Sequence, residues 1–282
     1  MNTTDETTYV LGHSGPEIQR LKTQAAILRP TTERLLRSAG IGPGMRVLDL
    51  GCGAGDVAIL AAELVGPSGS VVGIDRNLQV LEVAAERAQI AGRRKIAFEQ
   101  MSAEDFVDGD LFDLVVGRYT LIHQSDPIAM LRAAARLVRP GGAVAFHELR
   151  LREECHSLPN VPLWEMIDKL IRMAFLSALP HYDAGDRLIQ HFCDAGLPQP
   201  DLFCETYVWG GSDAPHYGWM VDTLRSLLPQ LERIGIVMAH SIEIETLELR
   251  FREAVVTAHS QVSGPSQICA WGQNINARRY QL

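Results

Sequence analysis

Asp49, Gly51, Gly53, Gly55 and Asp75 are spaced to bind a ligand of nucleotide size. The three glycines stand at alternate positions after the apolar run Val47-Leu48-Asp49-Leu50 and before Asp56 and the helical stretch Val57 to Leu64. Residues without Cβ let backbone approach a ligand, and the first N–H groups of the following helix face it. Asp75 closes a second apolar run, Val71-Val72-Gly73-Ile74, 20 residues after Gly55. A carboxylate there can accept from two ribose hydroxyls, or it can cap the next helix.

A second group of residues carries acid–base potential. Arg118, Tyr119 and His123 follow the apolar run Leu114-Val115-Val116, and His147 and Glu148 follow Ala143 to Phe146. In an open α/β sheet such strand ends line the crevice where ligands bind. His123 precedes a helix start, with Ser125 or Asp126 as cap and Pro127 in the first turn. An imidazole of ordinary basicity could take a proton from a phenol, an amine or an indole N–H, or simply pack. Glu148, at the tip of a buried strand, could be raised into a base's useful range or form an ion pair with Arg150 or Arg118. His123, Glu148 and Tyr119 are the candidate catalytic residues, and His181 with Tyr182 could contact the substrate.

The glycine spacing decides which nucleotide. A dinucleotide fingerprint needs a third glycine at the sixth position, where Asp56 stands, and no Gly-Lys-Ser/Thr follows to cradle phosphates. Acid-x-Gly-x-Gly-x-Gly, then Val71-Val72-Gly73-Ile74-Asp75, Met101-Ser102-Ala103-Glu104-Asp105, Leu111 to Gly117, and the Pro140-Gly141-Gly142 turn follow in order. Over roughly residues 40 to 150 this series resembles the class I S-adenosylmethionine-dependent methyltransferases. The resemblance implies S-adenosyl-L-methionine as cofactor, held by Asp49, Gly51, Cys52, Gly53, Gly55, Asp75, Arg76, Ser102, Ala103, Glu104 and Arg118, with Tyr9 and Gln24 reaching it from the N-terminal segment. Family members often carry an acid where Ser102 stands, so a hydroxyl or backbone contact would serve the adenine amine.

These residues need a scaffold. Strands alternate with helices near 57–65, 77–91 and 126–138, a βαβ rhythm that predicts an α/β, doubly wound parallel core. The resemblance extends this to a mostly parallel, seven-stranded, Rossmann-like sheet whose last strand is antiparallel. An N-terminal helical cap (1–39) is expected as two helices divided at Pro30, before the cofactor-binding core (40–150). Lid insertions at 151–183 and 213–263 flank a core helix and strand (184–212, with one strand from Asp201 to Trp209), and the last strand and tail occupy 264–282. All four tryptophans lie beyond residue 150, which suggests a pocket for a flat apolar molecule touched by Trp164, Tyr182 and Tyr217, or else an aromatic-filled lid core.

Composition limits the function classes. With 46% hydrophobic residues and a net charge of −8, the chain reads as globular, and nucleic acid is a disfavoured partner. No run of 18 apolar residues occurs, the start is polar, and five scattered cysteines form no CxxC pair, which suits a cytoplasmic protein without a metal site. A small-molecule substrate is the expected partner, and a homodimer is compatible with the sequence. Tyr9-Val10-Leu11-Gly12-His13, Tyr217-Gly218-Trp219-Met220 and Ala270-Trp271 resemble bacterial methyltransferases of secondary metabolism. Some members of that group alkylate indole carbon, so an indole acceptor is one expectation beside phenol or amine methylation. A protein that binds the cofactor without methylating is the reading from another class.

Overall fold

The computed structural model describes residues 15–93, 95–236 and 242–274. Its main sheet has seven strands: β1 (Arg46–Leu50), β2 (Ser70–Asp75), β3 (Ile96–Gln100), β4 (Phe112–Arg118), β5 (Val138–Leu149), β7 (Asp201–Glu205) and β10 (Gln267–Gln273). Their order is β3-β2-β1-β4-β5-β10-β7, with β10 antiparallel to both neighbours and the first five strands parallel. The order reverses between β1 and β4, so the carboxyl ends of these two strands open a crevice. Near-continuous apolar runs in β1, β2 and β4 follow from burial on both faces under the helices α2 (Asp56–Val65), α3 (Leu78–Ile90) and α4 (Pro127–Leu137).

The chain divides into two units. One holds Leu28–Arg150, Asp183–Glu205 with the short helix α6 (Leu188–Asp194), and the described residues from Gln267 onward, and so contains the whole seven-stranded sheet. The other holds the described residues up to Ile27, Leu151–Tyr182 and Thr206–Ser266. In the second unit the helices α5 (Pro162–Ala178), α7 (His216–Arg233) and α8 (Ile244–Thr257) pack together with a small antiparallel sheet of β6 (Ser157–Leu158), β9 (Gln261–Ser263) and β8 (Val208–Trp209). The two inserted regions therefore share one hydrophobic core.

Three sequence expectations are corrected here. The N-terminal segment is one helix, α1 (Gly15–Ser38), with Pro30 inside it rather than between two helices. The lost N–H and the crowding of the proline ring are tolerated because buried Leu28 before Pro30, and Leu35 and Leu36 after it, hold both flanking turns against the core. The segment from Asp201 to Trp209 is two strands, because Thr206 and Tyr207 leave the main sheet and Val208-Trp209 pairs with β9. Trp164 and Tyr217 are both wholly buried in the second unit's core. Trp164 packs against the rings of Phe251, His216 and Tyr217, and the Tyr217 hydroxyl donates to the Gly211 carbonyl at 2.8 Å. They fill volume between helices, where a substrate contact was expected.

Replacing Trp164 with alanine should destabilise the protein by about 3–5 kcal/mol, as large-to-small changes in packed cores do. Urea denaturation monitored by circular dichroism measures this, and a loss under about 1 kcal/mol would contradict the core placement.

Candidate active site

The glycine turn begins where β1 ends, at Leu50, still paired with Ile74 and Gly117. Gly51, Gly53 and Gly55 adopt φ values of 61°, 51° and 80°, a left-handed region that costs other residues roughly 1–2 kcal/mol each. Each glycine has its own reason. A Cβ on Gly51 would lie 2.7 Å from Thr120 Cγ2, and one on Gly55 would lie 3.0 Å from Ala84 Cβ, whereas one on Gly53 meets nothing within 4 Å. The turn is thus packed on the sheet side and open at Gly53.

Two acids flank it. Asp49 is buried, and because the cap residue Gly55 has no side chain to offer α2, the Asp49 carboxylate takes the Ala58 backbone N–H. Burial pushes its carboxyl up to about 8 against the pull of the Arg118 charge, and Oδ2 has no hydrogen-bond partner. Asp75 is half-buried at the end of β2; its Oδ2 accepts from Gly53 N–H and its Oδ1 from Asn77 N–H, both at 3.0 Å. Capping of α3 falls to Asn77, whose Oδ1 accepts from Gln79 and Val80, leaving Asp75 with the glycine turn. Cys52 is buried beneath the turn, and burial holds its thiol protonated.

After β3, Ser102 donates to Asp105 Oδ2 at 2.7 Å and accepts from the Asp105 N–H, so its hydroxyl proton is engaged within its own turn. Ala103 is buried, and Glu104 pairs with exposed Arg76 at 3.3 Å. Arg118 ends β4 and lies 3.7 Å from Asp56 at the start of α2. Gln24 is buried in the other unit and accepts from Arg20 at 2.8 Å, while Tyr9 lies outside the described residues.

The end of the crevice after β4 is built on a strained turn. Tyr119 has φ 56°, a left-handed conformation uncommon for a non-glycine residue. Its N–H donates to the His147 carbonyl at 2.8 Å, and its hydroxyl donates to Gln267 Oε1 at 2.5 Å. Wholly buried Glu148 forms neither expected ion pair, since Arg150 pairs with Asp186 and Arg118 with Asp56. Instead its Oε1 accepts from Thr120 N–H at 3.0 Å and Leu121 N–H at 2.8 Å, and it holds the short 3-10 turn Leu121–His123. Burial pushes its carboxyl up to about 8, opposed by the N–H donors of Leu121, Thr120 and Ile122, and Oε2 has no partner. Glu148 is a positioning group for the turn; His123, half-buried at its end, is the more accessible candidate base. Asp126 caps α4 through the Ala129 N–H, with Pro127 in the first turn. His181 and Tyr182 are half-buried in the second unit, where the Arg152 guanidinium lies 5.3 Å over the Tyr182 ring. The neighbours of this turn that sequence reasoning missed are Gln267 and Thr32, far apart in the chain and without a spacing that marks them.

A strand–glycine turn–helix with a carboxylate clamped at the next strand's end, on a seven-stranded sheet with one antiparallel strand, defines a class. The chain belongs to the class I S-adenosylmethionine-dependent methyltransferases. A methyltransferase-domain profile matches residues 41–178. The aklanonic acid methyltransferase DauC of a Streptomyces species is 34% identical over 164 residues, which is 58% of this chain and 73% of that protein. The 2-phytyl-1,4-naphtoquinone methyltransferase of Synechococcus elongatus is 41% identical over 110 residues, covering 38% of this chain and 47% of that one. For the latter the match spans about half the relative's length. Among solved structures, the YcgJ protein of Bacillus subtilis superposes with a TM-score of 0.54 at 18% identity, covering 87% of this chain and 98% of that one. The [4+2]-cyclase SpnF superposes with a TM-score of 0.50 at 18% identity, covering 87% of this chain and 81% of that one. These two likenesses concern the fold alone.

Gly53→Ala and Gly51→Ala separate ligand space from packing. The Gly53 change should cost only about 1–2 kcal/mol of stability while weakening S-adenosylmethionine binding at least tenfold; the Gly51 change should destabilise more, through its collision with Thr120. Calorimetric titration beside thermal melts measures both, and equal effects on binding and stability in the two variants would contradict the open face.

Asp49 and Glu148 have folded-state values raised to about 8, so the stability they contribute is complete below their unfolded values near 4 and is lost as pH rises through 8. Buried His147 and His216, lowered to about 3 by burial, act oppositely, but only below about 6.5. Ligand-free protein should therefore lose stability between pH 6.5 and 8, by up to about 1.4 kcal/mol per pH unit for each acid. Glu148→Gln should reduce that slope in urea titrations.

Proposed function

We propose that this protein transfers a methyl group from S-adenosylmethionine to a small aromatic metabolite of hydroxylated, quinone-like type. The supporting observation is the adjacency of two built ends on one sheet: the Asp75-clamped glycine turn after β1 and the strained Tyr119 turn after β4. Residues present fit the donor. Asp75 offers a half-buried carboxylate to ribose hydroxyls, Gly53 opens backbone to the ligand, and Asp49 keeps a partnerless carboxylate oxygen where a nearby positive charge would be favourable. Bound there, the sulfonium supplies an already activated methyl group.

What remains for the protein is alignment, dehydration and removal of an acceptor proton. The glycine turn and Asp75 orient the donor, with the segment Ser102 to Glu104 at the adenine edge. Glu148 fixes the turn that carries Tyr119 and His123, and His123 receives the proton of an acceptor hydroxyl as that oxygen or its conjugated carbon takes the methyl. The relatives described above act on an aklanonic acid and on a naphthoquinone, and this supports a phenolic or quinol acceptor over an indole. The aromatic side chains that pointed to an indole, Trp164 and Tyr217, are core residues.

Incubation with isotopically labelled S-adenosylmethionine and parallel panels of hydroxynaphthalenes, catechols, amines and indoles, followed by mass spectrometry, tests this. Label should enter the hydroxylated aromatic compounds. His123→Ala should lower kcat about 100-fold with little change in KM, and Glu148→Gln should act mainly through stability. Transfer confined to indoles or amines, or cofactor binding without transfer to any panel, would refute the reading.

A further inference from the structure

Around Tyr119 lies a hydrogen-bond chain that the transfer step does not require. Tyr119 OH and His147 Nε2 both converge on Gln267 Oε1, at 2.5 Å and 3.0 Å. On its other side His147 Nδ1 lies 3.1 Å from Thr32 Oγ1, and Arg118 Nη1 donates to that same hydroxyl oxygen at 3.4 Å. His147 is wholly buried, its ring edge-on to the Tyr119 ring with centroids 5.6 Å apart. These residues come from α1, β4, β5 and β10, so tertiary structure alone assembles them.

Counting protons gives the chain a direction. An amide oxygen has two lone pairs and no proton, so at Gln267 Oε1 both neighbours must donate. Tyr119 thereby commits its only hydroxyl proton. His147 must carry its proton on Nε2, which leaves Nδ1 to accept from Thr32, whose single proton is divided between this nitrogen and the Leu28 carbonyl 3.1 Å away. Burial, with the Arg118 charge beside it, lowers His147 to about 3, so the imidazole stays neutral and keeps this arrangement at neutral pH. Burial likewise raises the Tyr119 phenol, which stays protonated.

We propose that Tyr119 is a specificity-determining residue whose phenol oxygen, its proton committed to Gln267, accepts a hydrogen bond from a hydroxyl of the acceptor molecule. Gln267 and His147 are its positioning residues. Tyr119 is half-buried where β4 ends, at the crevice that the carboxyl ends of β1 and β4 open. The strained backbone at Tyr119 fits this role, since strain persists where surrounding contacts over-determine a conformation. A reduced, hydroxyl-bearing ring is therefore favoured over its oxidised carbonyl form, because a phenol oxygen that can only accept has nothing to offer a carbonyl. The inference rests on the methyltransferase reading and narrows its acceptor.

The test compares naphthohydroquinone with naphthoquinone, titrated calorimetrically into the protein complexed with S-adenosylhomocysteine. Wild-type protein should bind the hydroquinone about tenfold more tightly, the value of one hydrogen bond near 1.4 kcal/mol. Tyr119→Phe should bring the two affinities to parity. Gln267→Met frees the phenol proton, and the preference should reverse toward the quinone, an outcome that loss of structure would not produce. Nitrogen NMR of the unsubstituted protein should find His147 protonated on Nε2. An Nδ1-protonated His147, a preference unmoved by Gln267→Met, or binding of neither probe overturns this inference. Failure to bind S-adenosylhomocysteine would instead refute the methyltransferase reading, with the NMR result still standing on its own.

Discussion

Between β1 and α2 the chain turns within five residues while presenting backbone rather than side chains to the crevice, and the site depends on that path. Left-handed conformations at Gly51, Gly53 and Gly55 make it accessible, and close packing of Thr120 and Ala84 excludes side chains at two of the three. The same shortage of side chains leaves α2 without a local cap, and Asp49 supplies one from the strand at the expense of a buried carboxylate. Asp75 then joins the second strand to the turn by accepting the Gly53 N–H, so β2 and the turn are fixed as a unit. The shape of this turn is thus a consequence of backbone geometry before any side-chain choice.

The turn after β4 follows a different logic. Tyr119 is forced into a left-handed conformation immediately after β4, and Gly117 admits Thr120 because a Cβ there would lie 2.6 Å from its hydroxyl oxygen. Glu148 from the neighbouring strand collects the N–H groups the turn leaves over, and Gln267 from the antiparallel strand collects two side-chain donors. A buried network of this kind is costly unless satisfied, and the constraint it imposes is what gives the turn a single shape.

The second unit solves a packing problem. Three helices and a three-stranded ribbon have little apolar surface each, and large rings fill the space between them. His216 stacks on Trp209 with centroids 3.9 Å apart and lies near Trp164 and Trp219, while leucines of α7 and Phe251 of α8 complete the core. Gly264 lacks a side chain where a Cβ would meet Trp209 and His216 within 3 Å. Trp164, Trp209 and Trp219 all serve this filling, while Trp271 packs on Phe203 in the main sheet; a large aromatic ring buries much area per residue.

Local signals determined much of this protein. Glycine spacing, apolar runs ending in acids, and the Asp126-Pro127 helix start depend on neighbours within a few residues, and they were enough to specify the parallel core, the turn with Asp49 and Asp75, and the positions of Tyr119, His123 and Glu148 at the strand ends. Pro30 was misleading because a helix tolerates one missing N–H when its flanking turns are buried, and Trp164 and Tyr217 because aromatic content alone does not distinguish a pocket from a core. What only the tertiary structure decided was partnership across long separations: Glu148 with the N–H groups of Thr120 and Leu121, and Gln267 with Tyr119, 148 residues earlier. The first arises from the parallel register of β4 and β5, which pairs Arg118 with His147, and the second from the register of β10 against β5, which pairs Gln267 with Leu149 and Cys269 with His147. Register is set by the packing of whole strands, and no short run of residues encodes it.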